Sequence, residues 1–353
     1  MTVQQVVGAF VFPQAWFDLA AFRRMLLEFQ KCGVNAVATE SDLYDPAAID
    51  AVHELGMRFF AGVACFSDHA SNFQTLAARP ELWPVLESGE RRPQMEWYVG
   101  IAPTDSDHRK SILRKIEEIA SQHEIDGLFL DFVRWPLHWE IELRPGRHAP
   151  PDSSFDSATL DAFAAASGIR PPSSCRSTAA RASWIHRYAA SEWVDFKCRV
   201  ITDFVAEARV TLQGARSTAG LGAFLVPDGA VASERFTGQR WRDLAPHLDW
   251  AAPMLYHNIL LQPPEWIGAM VDKSVGTAGP KTLPVLQADS NRDPTATGDW
   301  GPPMDVAAWR NALAEVGHRD DIAGLIVFPG VSLMEPSRGR ALNDVLDGSW
   351  RGA

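Results

Sequence analysis

The stretch DGLFLDFVRWP, residues 126–136, decides how this chain is read. Apolar or small side chains fill positions 127–130, a carboxylate follows at Asp131, and Arg134, Trp135 and Pro136 close the run. As a strand it alternates, with Gly127, Phe129 and Asp131 on one side and Leu128, Leu130 and Phe132 on the other. A charge inside such a run is costly unless it is paired or used, so Asp131 marks either a structural pair with Arg134 or a functional site. Asp126, at the start of the same strand, reads as a turn residue at the opposite end.

Working outward, seven more short apolar runs share this character: 6–13 (VVGAFVFP), 34–40 (VNAVATE), 57–66 (MRFFAGVACF), 217–226 (STAGLGAFLV), 248–256 (LDWAAPMLY), 281–289 (KTLPVLQAD) and 322–329 (IAGLIVFP). Amphipathic helical stretches lie between them. The clearest is 17–32, with Leu19, Phe22, Leu26 and Phe29 on one face and Gly33 as its stop. Stretches 46–55, 107–123, 182–212, 264–275 and 305–316 read similarly. Strands alternating with helices give a parallel sheet, and eight of them close an α/β barrel, the (β/α)8 TIM fold. An open doubly wound sheet would need a glycine-rich turn after the first strand. The residues there are Pro13, Gln14, Ala15 and Trp16, and no GxGxxG occurs.

A plain barrel takes about 250 residues, and this chain has 353. The surplus falls into long loops after strands 3 and 4, at about 67–97 and 134–181. The second is rich in Pro, Ser and Asp, with a short helix expected at Ser157–Ser167. The whole of 1–353 is therefore read as a single TIM-barrel domain, its insertions placed at the active end rather than in a second domain. Thirty-three Lys and Arg against 44 Asp and Glu leave −11, which argues against nucleic acid or an anionic membrane as partner. The four cysteines are scattered without a CxxC pair, so neither a disulfide framework nor a zinc site is indicated. With no basic leader and no apolar run of about 18 residues, the expected location is cytoplasmic.

Barrel chemistry sits at the C-terminal ends of the strands. Those ends carry Glu40, His69, Asp131, Arg134, Trp135, Asp228, Tyr256, His257, Asp289 and Trp300. Four carboxylates converge on one mouth in this reading. The 13 tryptophans divide between helical core positions (Trp184, Trp193, Trp309) and the active end (Trp135, Trp139, Trp300), where indole faces pack on sugar C–H faces. Arg134 and the carboxylates would bond hydroxyls; His69 and His257 are weaker candidates as hydroxyl partners.

The run 126–136 resembles the fourth-strand motif DGIxxDYxRxP of glycoside-hydrolase-like TIM-barrel proteins. The stretch 240–257, RWRDLAPHLDWAAPMLYH, is similar to their sixth-strand segment ending in PMxY. The long insert after Pro136 is unlike a minimal member. The resemblance implies a glycosidase with Asp131 as the catalytic nucleophile or cation stabiliser. Glycoside hydrolysis also needs a carboxylic acid to protonate the leaving oxygen. The first choice for it is Asp228, on the turn after the fifth strand, with Asp289 and Glu40 behind it. The expected partner is a carbohydrate substrate, a small glycoside attacked from its end, and no cofactor is called for. Two alternatives stand beside this reading: a sugar isomerase or epimerase holding Mg²⁺ or Mn²⁺ on Glu40, Asp131, His257 and Asp289, though no HxH or HExxH occurs, and a non-catalytic carbohydrate-binding barrel.

Overall fold

Each apolar run forms a strand in the computed structural model: β1 (Val6–Phe10), β2 (Ala36–Ala38), β3 (Arg58–Ala64), β4 (Gly127–Asp131), β5 (Gly220–Leu225), β6 (Trp250–Leu255), β7 (Val285–Gln287) and β8 (Gly324–Phe328). The structure describes residues 5–41, 44–69, 74–95, 98–227, 231–289 and 300–348. All neighbours pair in parallel, and β8 pairs with β1, so the sheet closes into an eight-stranded (β/α)8 barrel.

Side-chain alternation divides the core into two layers. Inside the barrel lie Phe10, Phe60, Phe129, Phe224, Met254 and Ile326. Between strands and helices lie Val37, Phe59, Leu128, Leu130, Leu221 and Val327, packed against helix residues such as Phe22, Leu26, Ile116, Phe204 and Trp309. The inner layer is aromatic: Phe129 stacks on Phe224 at 5.0 Å and on Trp250 at 5.8 Å. Gly222 makes this possible, since a Cβ there would sit 2.3 Å from the Phe129 ring.

The helices follow the same logic. Asp18, Asp45, Asp105 and Asp305 cap the N-termini of Leu19–Lys31, Pro46–Glu54, Ser106–Gln122 and Val306–Ala314 through their side chains. The expected helix 182–212 is instead two, Thr178–Tyr188 and Ala190–Ala215. The break falls at Ala189 (φ −146°, ψ 32°), with no Gly or Pro to announce it. It leaves the second helix set to direct Trp193, Phe196 and Lys197 into the core.

The two insertions interlock. Leu86 bridges Ser153, Phe155 N–H donates to Val85 O, and Glu87 N–H donates to Asp152 O. Beneath this junction Asp152 accepts from Lys197 Nζ (2.7 Å), Trp193 Nε1 (3.1 Å) and His186 Nε2 (3.2 Å). Lys197 Nζ also donates to Ser153 O at 2.9 Å. The clamp ties the β4 insertion to helix Ala190–Ala215. Of the four cysteines, Cys32, Cys65 and Cys198 are buried and all are free thiols.

Candidate active site at the barrel mouth

Alternation delivers Asp131 to the mouth. It is the last residue of β4 on the inward side, beside Ala64 of β3 and above Phe129. The pleat then breaks. Phe132 has φ +49°, a left-handed conformation that costs a non-glycine residue of order 1–3 kcal/mol. Phe132 consequently leaves the side expected of it and packs with Ala64 and Tyr98 instead of the outer core. The turn also lets Phe132 N–H donate to Asp131 Oδ1 at 2.7 Å.

Glu40 follows β2, and Gly62 of β3 permits its approach, because a Cβ at 62 would lie 2.6 Å from Thr39 O and 3.2 Å from Glu40 Cβ. Past β3, His69 Nε2 lies 3.4 Å from Glu40 Oε1, and its Nδ1 lies 2.9 Å from Ser67 Oγ. The His69 ring rests on Phe132, centroids 4.4 Å apart. Arg134 is buried with its guanidinium over the rings of Phe132 (4.8 Å) and Tyr98 (5.6 Å).

These groups act on one another. Enclosure by protein and the charge of Glu40 push the Asp131 carboxyl up to about 7, against the opposing pull of Arg134, the Phe132 N–H and His69. Burial alone would lower His69, but its contact with Glu40 and the Asp131 charge outweigh that and leave it raised. Burial and then the charges of Asp131 and Glu140 hold the Tyr256 phenol well above its usual range, so its hydroxyl stays a donor.

The other half of the mouth is aromatic. Phe328, at the end of β8, stacks between Tyr256 (4.9 Å) and Trp300 (5.1 Å), both within 12° of parallel. Phe12, 45% exposed, meets Phe328 edge-on at 5.9 Å, and Trp139 packs on Tyr256 at 5.5 Å. Gln287 holds this half together by donating to Trp300 O (2.9 Å) and Asp289 O (3.0 Å) while accepting from Ile259 N–H (3.0 Å).

Glu40, His69, Asp131, Arg134, Tyr256 and Trp300 thus gather at the mouth. Trp135 does not: it is wholly buried in the outer core against Phe196, and its Nε1 donates to Lys197 O at 3.0 Å. The broken pleat after Asp131 turns it outward. Asp289 is engaged by the buried Arg338 at 3.3 Å. His257 is buried, its imidazole pushed down to about 4 and so neutral. Asp228 lies outside the described residues. Among the described residues no three His, Cys, Asp or Glu side chains group as a metal site requires, so the set Glu40, Asp131, His257 and Asp289 is not assembled. Sequence reading missed Tyr98, Phe132, Ser67 and Glu140. Only Tyr98 left a signal, as one of four tyrosines in the chain.

No family model and no curated protein matches the chain. Solved structures do. The PgaB (BpsB) glycoside hydrolase domain from Bordetella bronchiseptica superposes with a TM-score of 0.70 at 16% identity, over 97% of this chain and 99% of that one. The beta-galactosidase of the psychrophilic Marinomonas ef1 gives 0.67 at 12% identity over 98% of this chain, which spans 59% of that enzyme. The catalytic domain of a Paenibacillus polymyxa beta-amylase gives 0.62 at 12% identity, with both chains covered completely (100%). At such identities the likeness is one of fold: this chain shares its barrel with glycoside hydrolase domains.

Proposed function

We propose that the protein is a glycoside hydrolase acting at the β2–β4 side of the mouth. The observation that carries the reading is the pairing of Asp131 with Glu40: two carboxylates on inward strand ends, one of them holding its proton to about pH 7. Hydrolysis through an oxocarbenium-like transition state requires such a pair, one group protonated to release the leaving oxygen and one anionic. Burial and the neighbouring Glu40 charge favour Asp131 as the acid, the reverse of the role that the sequence resemblance implies for it, and Glu40 takes the second carboxylate's role. Phe12, 45% exposed, and the half-buried Trp300 at the end of the stacked row offer apolar surface on which a sugar ring packs. The glycoside hydrolase domains among the structural neighbours support the class. The interlocked insertions favour a pocket over an open groove, hence attack on a small glycoside from its end.

A panel of aryl and alkyl glycosides tests this with wild type and Asp131→Ala. For poor leaving groups kcat/KM should fall by about 10²–10⁴-fold. For 2,4-dinitrophenyl glycosides, which depart without a proton, the fall should be far smaller. Equal losses on both would move the acid to another residue and make Asp131 the anion. Undiminished turnover by Asp131→Ala on every substrate would overturn the site. Saccharide binding without any product would make the protein a binding barrel instead.

A further inference from the structure

Arg134 and Arg338 are equally buried arginines, at 1% and 0% exposure, with opposite surroundings. Arg338 is fully engaged: Glu335 and Asp289 pair with it, and the carbonyls of Ala288 and Met304 accept from it. Arg134 Nε and Nη1 are sealed from solvent with no hydrogen-bond partner. The Phe132 and Tyr98 rings attract its charge but are no match for an oxygen acceptor. A native structure rarely leaves buried donors of a charged group unmet, and where it does the exception calls for a specific reason such as a functional role or a bound partner.

The carboxylates around it make no hydrogen bond to Nε or Nη1. Glu40 is matched by His69, and the Asp131 carboxylate accepts from Phe132 N–H. Yet Arg134 follows Asp131 by three residues, and its guanidinium lies over Phe132 and Tyr98, the rings that pack with Ala64 and His69 at the mouth. A neutral hydroxyl would accept one bond and leave the charge uncompensated. A carboxylate has the planar pair of oxygens that a guanidinium fork matches, and it carries the missing charge.

We infer that the sugar recognised at this mouth carries a carboxylate, a uronic acid residue, and that Arg134 is the side chain that selects it. This rests on the carbohydrate-site reading above but not on catalysis. Thermal-shift and calorimetric titrations of the whole chain with D-glucuronate and D-galacturonate, set against D-glucose, D-galactose and glucose 6-sulfate, read binding without hydrolysis. Uronates should bind about a hundredfold or more tighter than their neutral counterparts, as sites built around a buried polar group discriminate strongly. Arg134→Gln should abolish that preference. Arg134→Lys, which keeps charge without the fork, should erode it, and it carries the test if the glutamine variant fails to fold. Neutral or sulfated sugars binding as well as uronates, no uronate binding by folded wild type, or a preference unchanged in Arg134→Lys would each overturn the inference. In parallel, aryl uronides and aryl hexosides are assayed for turnover. Hydrolysis of hexosides without uronate preference would leave the glycosidase standing and this inference fallen; Arg134-dependent uronate binding with no turnover of any glycoside would do the reverse.

Discussion

Asp131, at the barrel mouth, and Asp152, where the two insertions meet helix Ala190–Ala215, are both enclosed by protein, yet their carboxyls lie on opposite sides of the ordinary value. Asp131 is pushed up to about 7, first by burial and then by Glu40. Asp152 is the more deeply buried, at 1% exposure, and burial opposes its charge, but Lys197 and His186 more than reverse this and hold it at about 2. Burial therefore does not decide the outcome; compensation does. In the clamp Asp152 accepts from Lys197, Ser153 N–H, Trp193 and His186, whereas the mouth sets a carboxylate near another carboxylate and a guanidinium with unmet donors. One region is organised for stability; the other is the one we propose for chemistry.

Exchanging the charge at each position should expose this division. Asp131→Asn should remove turnover of poor-leaving-group glycosides, about 10²–10⁴-fold, while the protein unfolds at an equal or higher temperature, because a poorly compensated carboxylate is gone. Lost stability together with lost turnover would assign Asp131 to the fold. Lys197→Met should do the opposite, stranding Asp152 at a cost of about 3–5 kcal/mol in denaturant unfolding. The double replacement Asp152→Leu with Lys197→Met should recover much of that loss, and failure to recover would show that the hydrogen bonds to Ser153 and Trp193 matter more than charge.

Stability against pH should separate the two carboxyls as well. Folded Asp131 keeps its proton to about 7, while the unfolded chain loses it near 4. The native state then binds more protons between those values, so this contribution to stability is present below about pH 4 and is lost as pH rises through about 7. Wild type should lose stability relative to Asp131→Asn across that window. For Asp152 the sign inverts: its contribution is full above about pH 4 and is lost as pH falls toward about 2. Unfolding curves for wild type, Asp131→Asn and Asp152→Asn from pH 2 to 8 would measure both slopes, and parallel curves would erase the contrast. The smallest effect is expected from Trp135→Phe, which loses one buried bond to Lys197 O. Denaturation should report about 1 kcal/mol, with kcat/KM unchanged; altered turnover would return Trp135 to the site.

What was legible in the sequence follows from periodicity. Eight apolar runs punctuated by helices fixed the strand count, and alternation within 126–136 put Phe129 and Asp131 on one side and Leu128 and Leu130 on the other, which the structure shows to be the inner and outer layers. Helix boundaries fell within a few residues where Asp caps and Gly stops mark them, but the break at Ala189 has no such residue and stayed invisible. At the mouth, residues adjoining strand ends could be nominated from sequence. Their orientation could not, because it depends on one backbone angle: the positive φ of Phe132 moves that ring into the site and turns Trp135 away. Tyr98 and Glu140 sit in the insertions, where no period indicates which side chains reach the barrel.

Sequence by itself determined the barrel, the alternation of sides along 126–136 and the carboxylates that follow its strand ends, because these depend on local period and on chain order. Tertiary structure alone decided which of those carboxylates meet. Glu40 reaches the neighbourhood of Asp131 only because Gly62 stands between them without a side chain, and Asp289, equally well placed in sequence, is taken up by Arg338. Proton affinity and unmet charge belong to a group's surroundings, and those come from strands and insertions far apart along the chain.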